Sequence, residues 1–157
     1  FGASGAVTLH DVMTEDRRAL LDLRVARDQR AFIGEVARYL ATCLLEMKWQ
    51  AITIRADGAV VGFVMWARSP DDGSYWIGGF LIDREYQRRG YGRAALVALI
   101  ESLRAKPGCR TIVLTYMPGN DVARRLYGSL GFRETGEILD DEVVAHLEVA
   151  PQTRRRA

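Results

Sequence analysis

The sequence predicts a single α/β (α+β) domain: a mixed, mostly antiparallel sheet of about six to seven strands with a central parallel pair, flanked by about four helices. Two patterns lead to this prediction. Asp57-Gly58 separates two β-rich runs and is a strong hairpin signal, and a strand–helix–strand succession in the middle of the chain requires parallel pairing. The composition agrees, because 157 residues that are 48% hydrophobic and 27% charged are enough for one compact core.

The first third of the chain combines one short strand with helical segments. "VTLHDV", residues 7–12, alternates as a strand does. Thr14 stands at a helix N-cap position, and acidic residues follow it, so we expect a helix from Glu15 to Leu23. A second helical stretch is predicted over about residues 29–47, with Gly34 placed to divide it.

The middle of the chain changes to the period of β-structure. "QAITIRADGAVVGFVMWAR" contains two runs around Asp57-Gly58, and "SYWIGGFLID" is a third. These three runs predict an antiparallel meander. Gly78-Gly79 interrupts the third run, which indicates a bulge or a close approach by a ligand.

The second half predicts a βαβ unit followed by a helix and a hairpin. "RAALVALIESLRA" is an apolar helix that ends near Pro107-Gly108, and "CRTIVLTYM" is the parallel strand after it. Asn120 is expected to cap the next helix and Gly131 to end it. "FRETGEIL" and "EVVAHLEV" then form a hairpin around Asp140-Asp141.

Charge and composition narrow the classes of partner. The net charge is +2, but Arg154, Arg155 and Arg156 alone account for the excess and leave 19 basic against 20 acidic residues. The near-neutral body argues against a nucleic-acid partner, although the tail could still contact RNA or anionic lipid. We expect residues 7–150 to form the domain, residues 1–6 to be a tag remnant and residues 151–157 to be a disordered basic tail.

Metal and membrane sites are not predicted. Cys43 and Cys109 are isolated and only two histidines are present, so neither a metal site nor a disulfide is indicated. No run approaches the roughly 18 apolar residues of a membrane span, and the beginning of the sequence lacks a secretory pattern. We therefore expect a cytoplasmic protein without a membrane partner.

The hexapeptide "QRRGYG", Gln87 to Gly92, lies between a strand and a helix. The first N–H groups of that helix have no internal acceptor, and Gly90 and Gly92 let an anion approach them. The neighbouring arginines, Arg88, Arg89 and Arg93, can neutralise such an anion. The pattern matches neither GxxxxGK[ST] nor GxGxxG, and taken alone it is equally compatible with a plain structural turn.

Two motifs together resemble the GNAT acyltransferase family. Gln87-Arg88-Arg89-Gly90-Tyr91-Gly92 resembles its (Q/R)xxGx(G/A) acetyl-CoA motif. "NDVARRLYGSLGF", Asn120 to Phe132, is similar to its second motif, in which an asparagine opens a helix that carries a tyrosine and ends in Gly-Phe. The predicted order of elements is also that of the family, so the resemblance covers nearly all of residues 7–149.

The resemblance implies acetyl-CoA as the cofactor. The backbone of Leu81, Ile82 and Asp83 is expected to bind the pantetheine arm as an added strand, in a splayed gap between the strands of Ile82 and Leu114. Asn120 is expected to reach the pantetheine or adenylate side. The pyrophosphate is expected on the N–H groups of the hexapeptide and the residue after it: Arg88, Arg89, Gly90, Tyr91, Gly92 and Arg93, with Gln87 in the same motif.

The implied reaction is attack of a primary amine on an acetyl thioester in a ternary complex. An alkylamine with a pKa of about 10.4 must lose a proton, at a cost of about 4.6 kcal/mol at pH 7. Tyr127 is the family's candidate acid, although its place on an apolar helical stripe also fits simple packing. For a base or substrate contact, the resemblance leaves Glu35, Asp83, Glu85 or a chain of waters.

The acceptor is left open by the sequence. The two motif regions are most similar to bacterial spermine/spermidine acetyltransferases, and carboxylates among Glu35, Glu137 and residues 140–142 could bind a polycation. Aminoglycosides, amino acids and protein N-termini are alternatives, as is a non-catalytic acyl-CoA sensor. A sheet edge near Trp49, Trp66 or Trp76 could also pair two copies in a homodimer.

Overall fold

One mixed sheet organises the chain. A computed structural model describes residues 2–4, 6–31, 35–46 and 48–150, and it places eight strands in the order β1-β2-β3-β4-β5-β6-β8-β7. All neighbours are antiparallel except β5 and β6. The strands are β1 (Gly2–Ser4), β2 (Val7–Asp11), β3 (Gln50–Ala56), β4 (Ala59–Arg68), β5 (Tyr75–Ile82), β6 (Thr111–Tyr116), β7 (Arg133–Leu139) and β8 (Glu142–Glu148).

Helices cover the sheet on both faces. The four α-helices of the described ranges are α1 (Arg17–Leu21), α2 (Val36–Glu46), α3 (Tyr91–Arg104) and α4 (Asp121–Ser129). One core, centred on Leu96, Leu99 and Ile112, joins the sheet to α3 and to the apolar side of α4. A smaller core, centred on Leu20 and Phe63, lies on the opposite face beneath α1 and α2. The predicted fold class is confirmed.

The predicted hairpins form where the turn residues indicate. Asp57 and Gly58 both have positive φ, 48° and 79°, as a two-residue type I′ turn requires. Asp140 and Asp141, at 49° and 65°, connect β7 to β8 in the same way. Gly131, with φ 99°, follows α4 as the predicted C′ residue.

The parallel pair is short, and this creates an opening in the sheet. Only three residue pairs join β5 to β6, and Ile77↔Leu114 is the last. Beyond this pair, β5 continues to Ile82 and β6 continues to Tyr116, but the two strands no longer pair with each other. The bulge expected at Gly78-Gly79 lies at this point, because the register between β4 and β5 shifts there and Gly79 has φ +58°.

The N-terminal third differs from the prediction in three ways. Gly2–Ser4 pairs with β2 and brings the sheet to eight strands instead of the six to seven predicted, while the assignment of residues 1–6 to a tag remnant stays a prediction. In place of the helix from Glu15 to Leu23, a 3₁₀ turn (Thr14–Asp16) precedes the five-residue α1. Thr14 is not the N-cap: Met13 occupies that position, and its N–H donates to the Asp16 carboxylate at 3.1 Å.

The second predicted helix is also shorter than expected. A 3₁₀ turn (Arg27–Gln29) and then α2 (Val36–Glu46) replace one stretch over residues 29–47. The predicted break at Gly34 lies outside the described residues. Helical periodicity therefore located the segment but not its boundaries, since apolar spacing carries no information on where the backbone bonds stop.

Candidate active site

A cavity of about 690 Å³ passes through the opening between β5 and β6. It is bordered by residues 77–82 of β5, by the end of β6 and by the N-terminal ends of α3 and α4. Ten of the predicted site residues line it: Leu81, Ile82, Gln87, Arg88, Gly90, Tyr91, Gly92, Arg93, Asn120 and Tyr127. The predicted splayed gap between the strands of Ile82 and Leu114 is therefore present.

The N-terminus of α3 is the cationic end of this cavity. Gly90 is the N-cap with φ +81°, and no side chain caps the helix there. Apart from Gly90 and its two chain neighbours, no described residue has an atom within 4 Å of the place a Gly90 Cβ would occupy, so an anion can approach the backbone N–H groups there. Arg88, which itself has φ +62°, and Arg93 add positive charge to the same end.

The other residues of the turn hold it in place. Gln87 donates through Nε2 to the carbonyl of Ile82 at 2.9 Å and to Oε1 of Gln29 at 2.8 Å. Arg89 does not line the cavity: its guanidinium lies over the Tyr86 ring and donates to the Glu85 carbonyl at 3.2 Å. The motif thus divides into groups that face the cavity and groups that fix its backbone.

Part of the backbone expected to bind pantetheine already has partners. The N–H of Asp83 donates to the carbonyl of Val61 at 2.8 Å, and the Ile82 carbonyl accepts from Gln87. The edge of β5 that borders the opening is earlier in the strand, from Gly78 to Leu81. This edge has the unpaired geometry that a chain of amides needs in order to add as a strand.

Asn120 sits at the start of α4, where it has two polar groups to offer. Its Oδ1 accepts from the N–H of Ala123 at 3.2 Å, which is an ordinary N-cap bond. Its amide group remains available to donate into the cavity that it lines. Capping and ligand contact are therefore compatible on one side chain.

Tyr127 lies on the side of α4 that faces the opening. Its half-buried ring packs between Tyr116 and Phe132, with centroid separations of 5.8 Å and 6.1 Å. Within the described part of the chain, its hydroxyl has no hydrogen-bond partner. Burial, and then the negative charge of Glu142, raises the pKa of Tyr127 well above its usual value. The phenol therefore keeps its proton at neutral and moderately alkaline pH.

Aromatic rings occupy the space above the two bulge glycines. A Cβ on Gly78 would lie 3.3 Å from the Trp49 ring, and a Cβ on Gly79 would lie 3.0 Å from the Tyr39 ring. Glycine here lets both rings lie against β5. With Trp76 they line the side of the cavity that faces α2. The glycine pair thus accommodates aromatic rings against the strand at the predicted bulge.

The three acidic side chains predicted as a base or substrate contact, Glu35, Asp83 and Glu85, do not line the cavity. The Asp83 carboxylate is buried and accepts the N–H groups of Arg24 and Glu85 at 2.8 Å and 2.9 Å, which fixes the loop after β5. Neither Glu35 nor Glu85 borders the cavity. Among the described residues, the carboxylates that do line it are Asp28, Asp140 and Glu142.

The acceptor side of the cavity combines predicted residues with residues that the sequence did not indicate. Asp140 and Glu142 were among the carboxylates predicted to bind a polycation, with a plain hairpin turn as the alternative, and both line the cavity. Tyr39 and Asp28 were not predicted, because Tyr39 has the spacing of a core residue on α2 and Asp28 lies in the short 3₁₀ turn Arg27–Gln29. Only the three-dimensional structure brings these segments to the opening between β5 and β6.

Comparison with known proteins identifies the fold and family. The model of the Acetyltransferase (GNAT) family matches residues 9–132. The chain belongs to the GNAT acetyltransferase family. The GNAT domain is also 31% identical over 143 residues to the Spermine/spermidine N(1)-acetyltransferase of Bacillus subtilis (strain 168), a match that covers 85% of this chain and 91% of that protein.

Other acetyltransferases are similar over shorter segments or in fold. The [Ribosomal protein bS18]-alanine N-acetyltransferase of Escherichia coli (strain K12) is 47% identical over 53 residues, 34% of this chain and 35% of that one. A structure of the aminoglycoside acetyltransferase AAC(6')-Ib with paromomycin and acetyl-CoA superposes with a TM-score of 0.76 at 21% identity, covering 91% and 93% of the two chains.

The described residues of the GNAT domain were also compared with the requirements of a metal site and of a membrane span. Within those ranges no group of three or more His, Cys, Asp or Glu side chains is placed to hold a metal ion. None of the helices described is long and apolar enough to cross a membrane. The cytoplasmic location and the homodimer stay predictions.

Proposed function

We propose that this GNAT protein transfers an acetyl group from acetyl-CoA to a primary amine by direct attack in a ternary complex, and that the amine is a polyamine or a similar small polycation. A single feature supports the proposal most. One cavity is lined by a cationic, glycine-containing helix N-terminus, by aromatic and acidic side chains and by Tyr127.

The residues present fit coenzyme A. The open N–H groups at Gly90 to Arg93 suit a pyrophosphate, and Arg88 and Arg93 balance its charge. We assign the pantetheine arm to the unpaired edge of β5 up to Leu81 and to the Asn120 amide. Acetyl-CoA supplies an activated acyl group whose thiolate leaves readily.

Tyr127 is proposed as the proton donor to the departing sulfur. Its hydroxyl has no hydrogen-bond partner within the described residues, and its raised pKa keeps it protonated. A phenol less acidic than the thiol transfers its proton late, so its contribution is a hydrogen bond that strengthens as negative charge develops on sulfur.

The acceptor class follows from the opposite end of the cavity. Tyr39, Trp49 and Trp76 offer ring faces, which attract ammonium groups and pack against methylenes. The carboxylates Asp140 and Glu142 line the same cavity. An extended chain with several ammonium groups satisfies both features, and the Bacillus relative is named for spermine and spermidine.

The test is thiol release from acetyl-CoA with a panel of spermidine, spermine, aminoglycosides, amino acids and an alanine-terminated peptide. Saturable turnover with the polyamines at a kcat/KM at least tenfold above the other amines supports the proposal. Preference for the peptide indicates a protein N-terminal acetyltransferase. Tight acetyl-CoA binding by calorimetry without turnover on any amine indicates a sensor, and either result contradicts the polyamine assignment.

A further inference from the structure

Glu142 is a half-buried carboxylate at the edge of the opening in the sheet. It is the first residue of β8, and its Oε2 accepts a hydrogen bond from Oγ1 of Thr115 at 2.5 Å. Thr115 directly follows Leu114, which forms the last pair between β5 and β6. The Thr115 hydroxyl therefore holds the Glu142 carboxylate where the two strands separate.

The alternation of side chains along the strands places Glu142 on the face covered by α2. Leu114 and Tyr116 belong to the core beneath α3, so Thr115 points to the other face. Val143 and Ala145 also pack into the α3 core, which directs Glu142 away from it. The opposite face carries Tyr39, Trp49 and Met65, which also line the cavity.

Tyr127 approaches the same opening from the α4 side. The charge of Glu142 is the second cause, after burial, of the raised pKa of Tyr127, so the carboxylate and the phenol are electrostatically coupled across the opening. Among the described residues, Tyr116 on β6, Tyr39 on α2 and Asp140 in the β7–β8 turn are further titratable groups that face this region. Of the described carboxylates lining the cavity, Asp28 and Asp140 are exposed, whereas Glu142 is half-buried.

We infer that Glu142 binds the ammonium group of the acceptor and removes its proton. This inference rests on the proposed function, because it requires acetyl-CoA and an amine to be bound at the same opening, one on each face of the sheet. The acetyl donor is held from the α3 side and the amine enters from the α2 side. A carboxylate beside aromatic rings is a suitable first contact for an ammonium group.

The proton balance closes with the groups present. One N–H bond of the ammonium breaks and its proton forms an O–H bond on Glu142. The free amine then forms a C–N bond to the acetyl carbon as the C–S bond breaks with both electrons on sulfur. The second amine proton replaces the one that Tyr127 gives to sulfur, and Glu142 later releases its proton to water.

The test compares Glu142→Gln with Glu148→Gln. Glutamine keeps an acceptor for Thr115 but takes no proton, and Glu148 is an exposed residue on the same strand and face that does not line the cavity. With the best acceptor of the panel at pH 7, Glu142→Gln is expected to lose at least about 100-fold in kcat/KM. The kcat/KM of Glu148→Gln should stay within about threefold of wild type, because an exposed residue outside the site is replaced.

The pH dependence separates proton removal from a structural effect. Below the amine pKa of about 10.4, neutral amine becomes about tenfold more abundant per pH unit. From pH 7 to 9.5 the loss of kcat/KM in Glu142→Gln relative to wild type should therefore shrink by about tenfold per pH unit, because the variant depends on amine that is already neutral in solution. Parallel profiles for the two proteins, or wild-type kcat/KM in the variant, would overturn the inference.

A binding measurement gives a second readout independent of turnover. Calorimetric titration of spermidine into the CoA complex should show binding about tenfold weaker for Glu142→Gln, as expected for the loss of a charged hydrogen bond, and unchanged for Glu148→Gln. Equal affinity in all three proteins would contradict ammonium binding at Glu142. If no amine is turned over but spermidine binding still depends on Glu142, the proposed function fails while the ammonium site stands.

Discussion

The ring of Tyr39 lies directly over Gly79, so close that a Cβ on this glycine would be 3.0 Å from its Cγ atom. Gly79 also has φ +58° and occupies the bulge at which β5 and β6 separate. The same glycine thus permits three features: the bulge, the aromatic ring against the strand and the opening that the cavity uses.

Gly79→Ala should destabilise the protein more than Gly136→Ala. Both glycines have positive φ, but no described atom lies within 4 Å of the Gly136 Cβ position. Gly136→Ala is expected to cost about 1–2 kcal/mol from its backbone conformation alone, and Gly79→Ala about 1–3 kcal/mol more from overpacking against Tyr39. Urea unfolding measures both, and equal losses would show that the Tyr39 contact is not tight.

The sheet was largely predictable because its turns have specific chemistry. Asp57-Gly58, Asp140-Asp141 and Gly131 each require positive φ, and the structure has it at all of them. The helix boundaries near Thr14 and Gln29 were not predictable, since apolar periodicity continues through 3₁₀ turns and loops.

The cofactor end of the site was easier to predict from sequence than the acceptor end. It is one contiguous hexapeptide, and a helix N-terminus makes its own anion site. The acceptor end is built from α2, the bulge of β5 and the turn before Glu142, which are far apart in the chain. In the sequence its carboxylates cannot be distinguished from ordinary surface residues, because only the folded sheet brings them to the cavity.

Substitutions of the two glycines in the hexapeptide should have different effects on coenzyme A binding. A Cβ at Gly90, which has φ +81°, would project into the open space at the helix N-terminus, whereas at Gly92 it would meet Phe80 at an ordinary 3.4 Å. Gly90→Ala is expected to weaken binding by at least about tenfold, and Gly92→Ala to leave it within about threefold.

Calorimetry measures the affinity of both glycine variants for coenzyme A. The control ligand is acetyl-pantetheine, which lacks the pyrophosphate and should bind the two variants with equal affinity. Equal coenzyme A affinities for Gly90→Ala and Gly92→Ala would rule out the assignment of the pyrophosphate to this turn.

Two substitutions of Asn120 should distinguish its role as a helix cap from its role in ligand binding. Asn120→Asp retains an oxygen for the Ala123 N–H but loses the amide donor, so stability should change little while coenzyme A affinity falls. Asn120→Ala loses both and should cost about 1 kcal/mol of unfolding free energy in addition. Thermal unfolding and calorimetry report the two effects, and unchanged affinity in Asn120→Asp would remove the proposed contact.

Tyr127→Phe should lower kcat by at least about tenfold without weakening acetyl-CoA binding. The hydroxyl has no hydrogen-bond partner within the described residues, so its removal costs no internal bond, and the ring still packs against Tyr116 and Phe132. Single-turnover rates at saturating acetyl-CoA measure the change. Wild-type kcat in the variant would exclude Tyr127 from proton transfer.

The ionisation of Tyr127 should be displaced to high pH. Because its pKa is raised by burial and by Glu142, the phenol stays neutral as the pH passes about 10, where an ordinary tyrosine is half ionised. Tyrosinate absorbance of wild type and Tyr127→Phe should therefore coincide up to about pH 10 and differ only above it. A difference that appears below pH 9.5 would contradict the raised pKa.

Initial rates with acetyl-CoA and spermidine varied together test the central claim, which is direct transfer between two substrates bound at one opening in the sheet. The account predicts intersecting double-reciprocal lines and no acetylated protein by mass spectrometry after incubation with acetyl-CoA alone. Parallel lines together with a stable acetyl-enzyme would contradict it.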